Sequence, residues 1–239
     1  MCLDVKTLMV NFLTNEVATG KVEVYNEFSL QHELGIYLRD QLKNNPDYKV
    51  QFERNTKYFF KAKGLEKHEI DITIFNSDKT KKYAIELKYP RNGAYPKTMF
   101  DFCKDIKFME QCKQNGFTKT FCLTLVDVGF GRPDDYVDKS GKKHSGNPFY
   151  DAKTRDDTSN NSDTPDNKEL YSYFRTINAQ EEKKLSGTIE YNTSEQDKNT
   201  GERTLVTHTL ELSGSYIIKW EDCGDCNKYY IIEALPKNS

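Results

Sequence analysis

No apolar run in this sequence approaches the roughly twenty residues that a membrane-spanning helix requires, so no transmembrane segment is expected. No secretory leader is expected either. The opening stretch MCLDVKTLMVNFL has Asp4 and Lys6 ahead of a short apolar patch, with no basic start and no small-residue cleavage site. A cytoplasmic location is the expectation that follows. There is no GxxxxGK(S/T), no GxGxxG and no GxSxG; Gly129-Phe130-Gly131 is too short to argue for nucleotide binding. Overall basicity is absent too, because the net charge is −2. A second CxxC is lacking beside Cys223-x-x-Cys226, and His144 and His208 do not supply ligand spacing. That pair therefore reads as a turn around Gly224 and Asp225 and not as a zinc site.

The remaining cysteines, Cys2, Cys103, Cys112 and Cys122, are scattered, three of them in apolar contexts. They read as small buried hydrophobes in a reducing compartment. Apolar residues make up only 36% of the chain, but 13% are aromatic, and large rings let 239 residues bury a real core. Charge is unevenly spread. Residues 1–125 carry 20 Lys and Arg against 16 Asp and Glu, and residues 126–239 carry 15 against 21. The basic first half tilts toward a phosphate-rich partner.

Leu30, Leu34, Tyr37, Leu38 and Leu42 recur at helical spacing and predict a helix over 25–44, ended by Pro46. Residues 49–61 read as extended, 69–74 and 82–88 as two strands joined by the turn 76–81, 98–115 as a second helix and 118–126 as a strand. Beyond Gly129 the chain turns polar and β-rich. A mobile loop is expected at 155–168, and strands at 170–177, 185–192, 204–212, 215–220 and 228–234. The echo between LSGTIEY and LSGSYII is too short for a repeat. The expected class is α/β, with a core over 1–128 and a β-rich extension over 129–239.

The hairpin at 69–88 carries the chemistry. Strand alternation places Ile70, Ile72 and Ile74 on one face, and Asp71 and Thr73 on the other. Across the turn, Tyr83, Ile85 and Leu87 oppose Ala84, Glu86 and Lys88. With the turn centred between Asp78 and Lys79, Ile72 faces Ile85, and Asp71 faces Glu86. The register that buries the isoleucines is thus the one that gathers two carboxylates and an ammonium. Acids this close repel unless a cation lies between them, and oxygen ligands from two strands suit Mg²⁺ or Mn²⁺. Lys88 then orients the attacking water or stabilises charge on phosphorus, and the Leu87 carbonyl is a further candidate ligand.

Asp71, a hairpin, then Glu86-Leu87-Lys88 in a strand resembles the PD-(D/E)xK nuclease superfamily, over roughly residues 25–127. The family's proline is replaced by Ile70. The helix FDFCKDIKFMEQCKQNGF leading into the strand TKTFCLTLV is similar to the arrangement after the motif in that family. The resemblance implies a restriction endonuclease-like core, a central mixed sheet flanked by helices, with the β-rich C-terminal extension attached. It also implies metal-dependent phosphodiester hydrolysis, in DNA by first choice, in a restriction, defence, repair or recombination setting. An acid on the preceding helix completes the family's metal site; Glu33 is the first choice and Glu27 the second. Arg91, Lys97 and Lys104 are candidates for holding DNA phosphates, and Gln111 resembles a glutamine found near the site in some member families. Asp105 and Lys107 read as an exposed charge pattern. The extension is expected to recognise substrate or to mediate a homodimer. Two other classes stay open: a catalytically inactive nuclease-fold module that binds nucleic acid or a partner protein, and a structural β-rich protein whose hairpin acids form a solvated ion pair.

Overall fold

A computed structural model of the chain describes residues 3–90, 95–127, 136–137, 143–144, 167, 169–170, 173, 181–196, 202–225 and 227–236. Arg91 and Cys226 lie outside them. So do the expected loop at 155–168, apart from Asn167, and most of the strand expected at 170–177. Within that last stretch Leu170 and Tyr173 are helical.

Helix α1 spans Val5–Phe12 and runs on through a π-helical turn, Leu13–Val17. Asp4 caps it, taking the Thr7 N–H at 3.1 Å. Where the sequence reading expects only an apolar patch, Val5, Met9, Phe12 and Leu13 form the buried stripe of a helix. Helix α2, Glu27–Gln41, starts at a capping box in which Asn26 and Ser29 each accept the other's backbone N–H. Its buried face is Leu30, Leu34 and Leu38.

Strands β1 (Tyr48–Asn55), β2 (Glu69–Asn76), β3 (Lys82–Lys88) and β4 (Lys119–Asp127) follow, with helix α3 (Tyr95–Gln114) between the last two. Two short strands, β5 (Tyr136–Val137) and β6 (Lys143–His144), pair only with each other. Two long strands, β7 (Lys183–Gln196) and β8 (Arg203–Ile218), form an antiparallel hairpin. Strands β9 (Glu221–Cys223) and β10 (Asn227–Glu233) close the series. The central sheet is six-stranded and mixed, in the order β1-β2-β3-β4-β10-β9. Only β3 and β4 run parallel, so the chain must cross the sheet between them, and α3 is that crossover. The α/β class with a mixed sheet is therefore as expected. The boundary drawn at 128/129 is not a boundary of the sheet, because β9 and β10 belong to it. Among the described residues no helix is long and apolar enough to cross a membrane.

Both sheet faces are covered, which is why β4 reads as an almost unbroken apolar run. Phe121, Leu123 and Leu125 pack with Ile72, Ile85 and Leu87 under α1 and α2. Cys122, Val126 and Ala84 pack on the other side with α3 and the β7–β8 hairpin. Cys103, Cys112, Cys122 and Cys223 are free and buried, as small hydrophobes would be.

Helix α3 thus lies between the sheet and the hairpin, and its polar residues pay for that position in hydrogen bonds. The β7–β8 register slips between Ser186 and Gly187, leaving Ser213 and Gly214 as the extra residues of a bulge. This bulge stands where two separate strands are expected, and β8 runs through it unbroken. Fully buried Glu110 takes the freed amides, accepting from Ser213 N–H at 3.0 Å and Gly214 N–H at 2.6 Å, and from Tyr216 O–H at 2.7 Å. Burial would raise its pKa, but these donors bring it below the ordinary carboxylate value. A Cβ on Gly214 would lie 2.2 Å from the Tyr216 hydroxyl and 3.0 Å from the Leu235 carbonyl. Tyr216→Phe is expected to cost about 1.5–3 kcal/mol and Gly214→Ala about 1–3 kcal/mol in urea unfolding. The double variant should lose less than the sum, because both act on the same carboxylate.

Candidate functional site: carboxylates and lysines at a break in the sheet

The β2–β3 ladder pairs Ile72 with Ile85, Thr73 with Ala84 and Ile74 with Tyr83, the register expected from the sequence. It stops there. Beyond Ile72 the two strands are bridged by side chains instead: Asp71 N–H donates to Glu86 Oε1 at 3.3 Å, and Leu87 N–H donates to Asp71 Oδ2 at 2.7 Å. The chain turns over at this point. Ile72 and Ile74 pack under α2, but Ile70 packs on the α3 side, not with them as simple alternation predicts. Strand β1 is irregular at the same level. Glu53, between the pairs Phe52–Ile72 and Arg54–Ile70, has φ of +48°. That conformation costs a residue with a Cβ about 1–2 kcal/mol. Gln31 on α2 spans the break, its Nε2 donating to Glu53 Oε1 at 2.5 Å and to the Asp71 carbonyl at 2.9 Å.

Asp71, Glu86 and Lys88 therefore come together, as expected. Two further residues complete the cluster. Glu86 is almost wholly buried and is paired with Lys67 from the loop before β2. Lys67 Nζ also contacts Asp105 Oδ1 of α3 at 2.7 Å, and Lys88 Nζ lies 3.2 Å from Asp105 Oδ2. Asp105, expected on an exposed charge pattern, is only 3% exposed. Its Oδ2 accepts no hydrogen bond despite the nearby ammonium. Lys88 Nζ further lies 3.4 Å from Glu27 Oε1 and donates to the Leu87 carbonyl at 3.1 Å.

The helix acid that reaches the cluster is Glu27. Glu33, six residues on and therefore turned to another side of α2, approaches His32 at 3.4 Å. The capping box is the sequence signal that separates them. It starts the helix at Glu27 and so sets that residue at the helix end, where its carboxylate also takes the Tyr89 N–H at 3.3 Å. Gln111 does not enter the cluster. It clasps the preceding loop, accepting from Glu66 N–H and donating to the Gly64 carbonyl, both at 3.0 Å, and so positions Lys67. Lys97 and Lys104 pair with Asp101 at 2.7 and 3.4 Å on the outer part of α3.

On the open side lies a cleft of about 270 Å³ lined by Glu27, Phe28, Gln31, Glu53, Asp71 and Leu87. Carboxylates outnumber ammonium groups here: Glu27, Glu53, Asp71, Glu86 and Asp105 surround Lys67 and Lys88. Burial pushes the Asp71 carboxyl up to about 6, against the pull of Lys67, the Leu87 N–H and Lys88. Burial, with Asp71 and Asp105 nearby, raises Glu86 well above the ordinary value. Burial works against charge on Lys88 as well, but Asp105 and Glu27 more than reverse it, so the ammonium stays protonated. Among the described residues no three His, Cys, Asp or Glu side chains stand as a ready metal cage. Cys223, half of the CxxC, instead lies buried with its Sγ 3.2 Å from the Leu13 carbonyl. Comparison of the chain with protein-family models, curated proteins and solved structures found no match.

Because Asp71 binds its proton more tightly folded than unfolded, the folded state holds more protons between about pH 4 and 6. Its contribution to stability is thus fully favourable below that window and falls as pH rises through it, by at most about 3 kcal/mol. Urea unfolding of EDTA-treated protein from pH 4 to 7 should show this slope. Asp71→Asn, which keeps an acceptor for Leu87 but cannot ionise, should lack it.

Proposed function

We propose that this chain is a metal-dependent nuclease of the PD-(D/E)xK type, hydrolysing phosphodiester bonds in nucleic acid, with DNA as the first candidate. The observation that carries the reading is the break in the sheet, where Asp71, Glu86 and Lys88 converge from two strands beside an open cleft that Glu27 also lines.

The donor set fits a hard divalent cation such as Mg²⁺ or Mn²⁺. It is made of carboxylate oxygens, it carries more negative charge than its two lysines neutralise, and burial makes two of its acids bind protons unusually tightly. Asp71 and Glu86 are the residues that would hold the ion, with Glu27 or Asp105 in support. When bound, the ion would polarise the phosphate and supply a water of lowered pKa. Glu27, Glu53 and Asp71 line the cleft, so a bound cation would also offset their repulsion of a phosphate. Lys88, protonated and tethered between Glu27 and Asp105, serves as a fixed positive charge. Its role is to orient the attacking water and to stabilise charge developing on the phosphoryl oxygens, and not to accept a proton. Gln31 ties Glu53 of β1 to the Asp71 carbonyl of β2 beside the cleft.

One observation favours a second reading. Lys67 closes on Glu86 and Asp105 as an internal counterion, an arrangement that a catalytically inactive nuclease-fold module would also adopt. Cleavage of plasmid and single-stranded DNA with Mg²⁺, Mn²⁺ or EDTA decides between them. The nuclease reading expects metal-dependent cutting that Asp71→Ala and Lys88→Ala each reduce at least a hundredfold. It expects Glu27→Ala to impair cutting and Glu33→Ala to leave it intact. Mn²⁺ affinity, read by calorimetry, should rise with pH through about 6, because the ion must displace the proton that burial holds on Asp71, with Glu86 steepening the rise. A chain that binds no Mn²⁺ and cuts nothing is the inactive module.

A further inference from the structure

The cleft is lined by groups of two different kinds, the carboxylates of Glu27, Glu53 and Asp71 and the exposed ring of Phe28. Phe28 is 71% exposed, although a ring of that size is normally drawn inside. The capping box fixes the helix start one residue before Glu27, so acid and ring stand side by side at the mouth of the cleft. One turn on, the His32 ring lies nearly parallel to Phe28, at 11° and 6.3 Å between centroids, and backs it from the helix side.

We infer that Phe28 is a stacking platform for an unpaired nucleobase next to the scissile phosphate, so that the substrate is single-stranded nucleic acid or a nucleotide extruded from a duplex. This rests on the nuclease reading. A nucleotide is the fragment whose parts match both kinds of group: its phosphate would sit with carboxylates bridged by a cation, and its planar uncharged ring with an exposed aromatic face. A duplex cannot offer that face, since its bases are stacked on one another and reach an enzyme pocket only when flipped out. The cleft, at about 270 Å³, is smaller than the sites that usually enclose a whole small ligand. It suits one unit of a polymer whose remainder stays outside.

The test uses the full chain with Mn²⁺ and three fluorescent probes: a single-stranded 12-mer, the same sequence as a duplex, and a single strand with abasic residues. Wild type is expected to cut the single strand in preference to the duplex. Phe28→Ala should lower kcat/KM on the single strand roughly tenfold, chiefly through KM; Phe28→Trp should restore it, and the abasic strand should be cut alike by wild type and Phe28→Ala. Since Phe28 is exposed, these variants do not disturb the core. If Phe28→Ala cuts the strand as wild type does, the platform is refuted while the nuclease reading stands. If wild type cuts nothing, the nuclease reading falls, and the same probes used as ligands in anisotropy titrations decide the platform. Strand binding that Phe28→Ala loses keeps it, and equal or absent binding removes it. A change in oligomeric state of Phe28→Ala, seen by light scattering without any change in strand binding, would assign the ring to a protein interface and overturn the inference.

Discussion

Two carboxylates, Glu86 and Asp105, are taken out of water between the sheet and α3, and the local structure follows from how their charge is met. A buried anion without a partner costs several kcal/mol, so cations have to be brought to it. Lys67 comes from the loop before β2, which Gln111 holds in place; Lys88 comes from the end of β3, where Glu27 of α2 restrains it. Three separate segments are thus tied to one point. The regular ladder gives way there because Asp71 and Glu86 use their side chains to satisfy backbone amides that a continued β2–β3 pairing would have used. The departure from regular geometry at Glu53 lies at the same level, held by Gln31. Irregular backbone concentrated at one level of three adjacent strands is the pattern of a site, where local rules are broken and the surroundings compensate.

Much of this is legible in the sequence, for identifiable reasons. The hairpin register could be read because period-two alternation leaves one solution that buries Ile72 against Ile85, and that solution gathers Asp71, Glu86 and Lys88. What alternation could not reveal is the turning over at Asp71, because it depends on side-chain bonds that replace the ladder. Glu33 is the first choice by resemblance to the family's helix acid, but the helix start that Asn26 and Ser29 specify brings Glu27, and not Glu33, to the cluster. Lys67 came from a polar loop with no periodicity to place it. Asp105 and Glu110 had a usable signal. Phe100, Phe102, Cys103, Ile106, Phe108, Met109 and Cys112 occupy nearly every side of α3, and a helix apolar all round is enclosed, so its acids must be enclosed with it. The same signal tells that something has to cover the far side of α3, which the β7–β8 hairpin does.

Glu110 and Asp105 show one helix handling buried acids in two ways. Glu110 accepts from Tyr216 O–H and the two amides of the bulge, which stabilise it as an anion, with Lys107 Nζ farther off at 3.6 Å. Asp105 is met by the ammonium groups of Lys67 and Lys88 and keeps one oxygen without a hydrogen bond. An acid served by long flexible side chains can exchange its partners, and one locked by backbone amides cannot. Five positions apart on α3, the two acids are thus held in different ways.

The place of β10 carries a consequence for how the molecule is made. Residues 227–233 lie between β4 and β9, pairing with residues 121–127 that precede them by about a hundred positions. Until that stretch has left the ribosome, β4 presents an unpaired apolar edge, and the hairpin that covers α3 is itself still being synthesised. Closure of the sheet is a late, long-range event with a correspondingly large loop to close. The residues gathered around Asp71 and Glu86 are all translated earlier, between Glu27 and Asp105. The segments that carry the charged cluster are thus synthesised before the strands that complete the sheet.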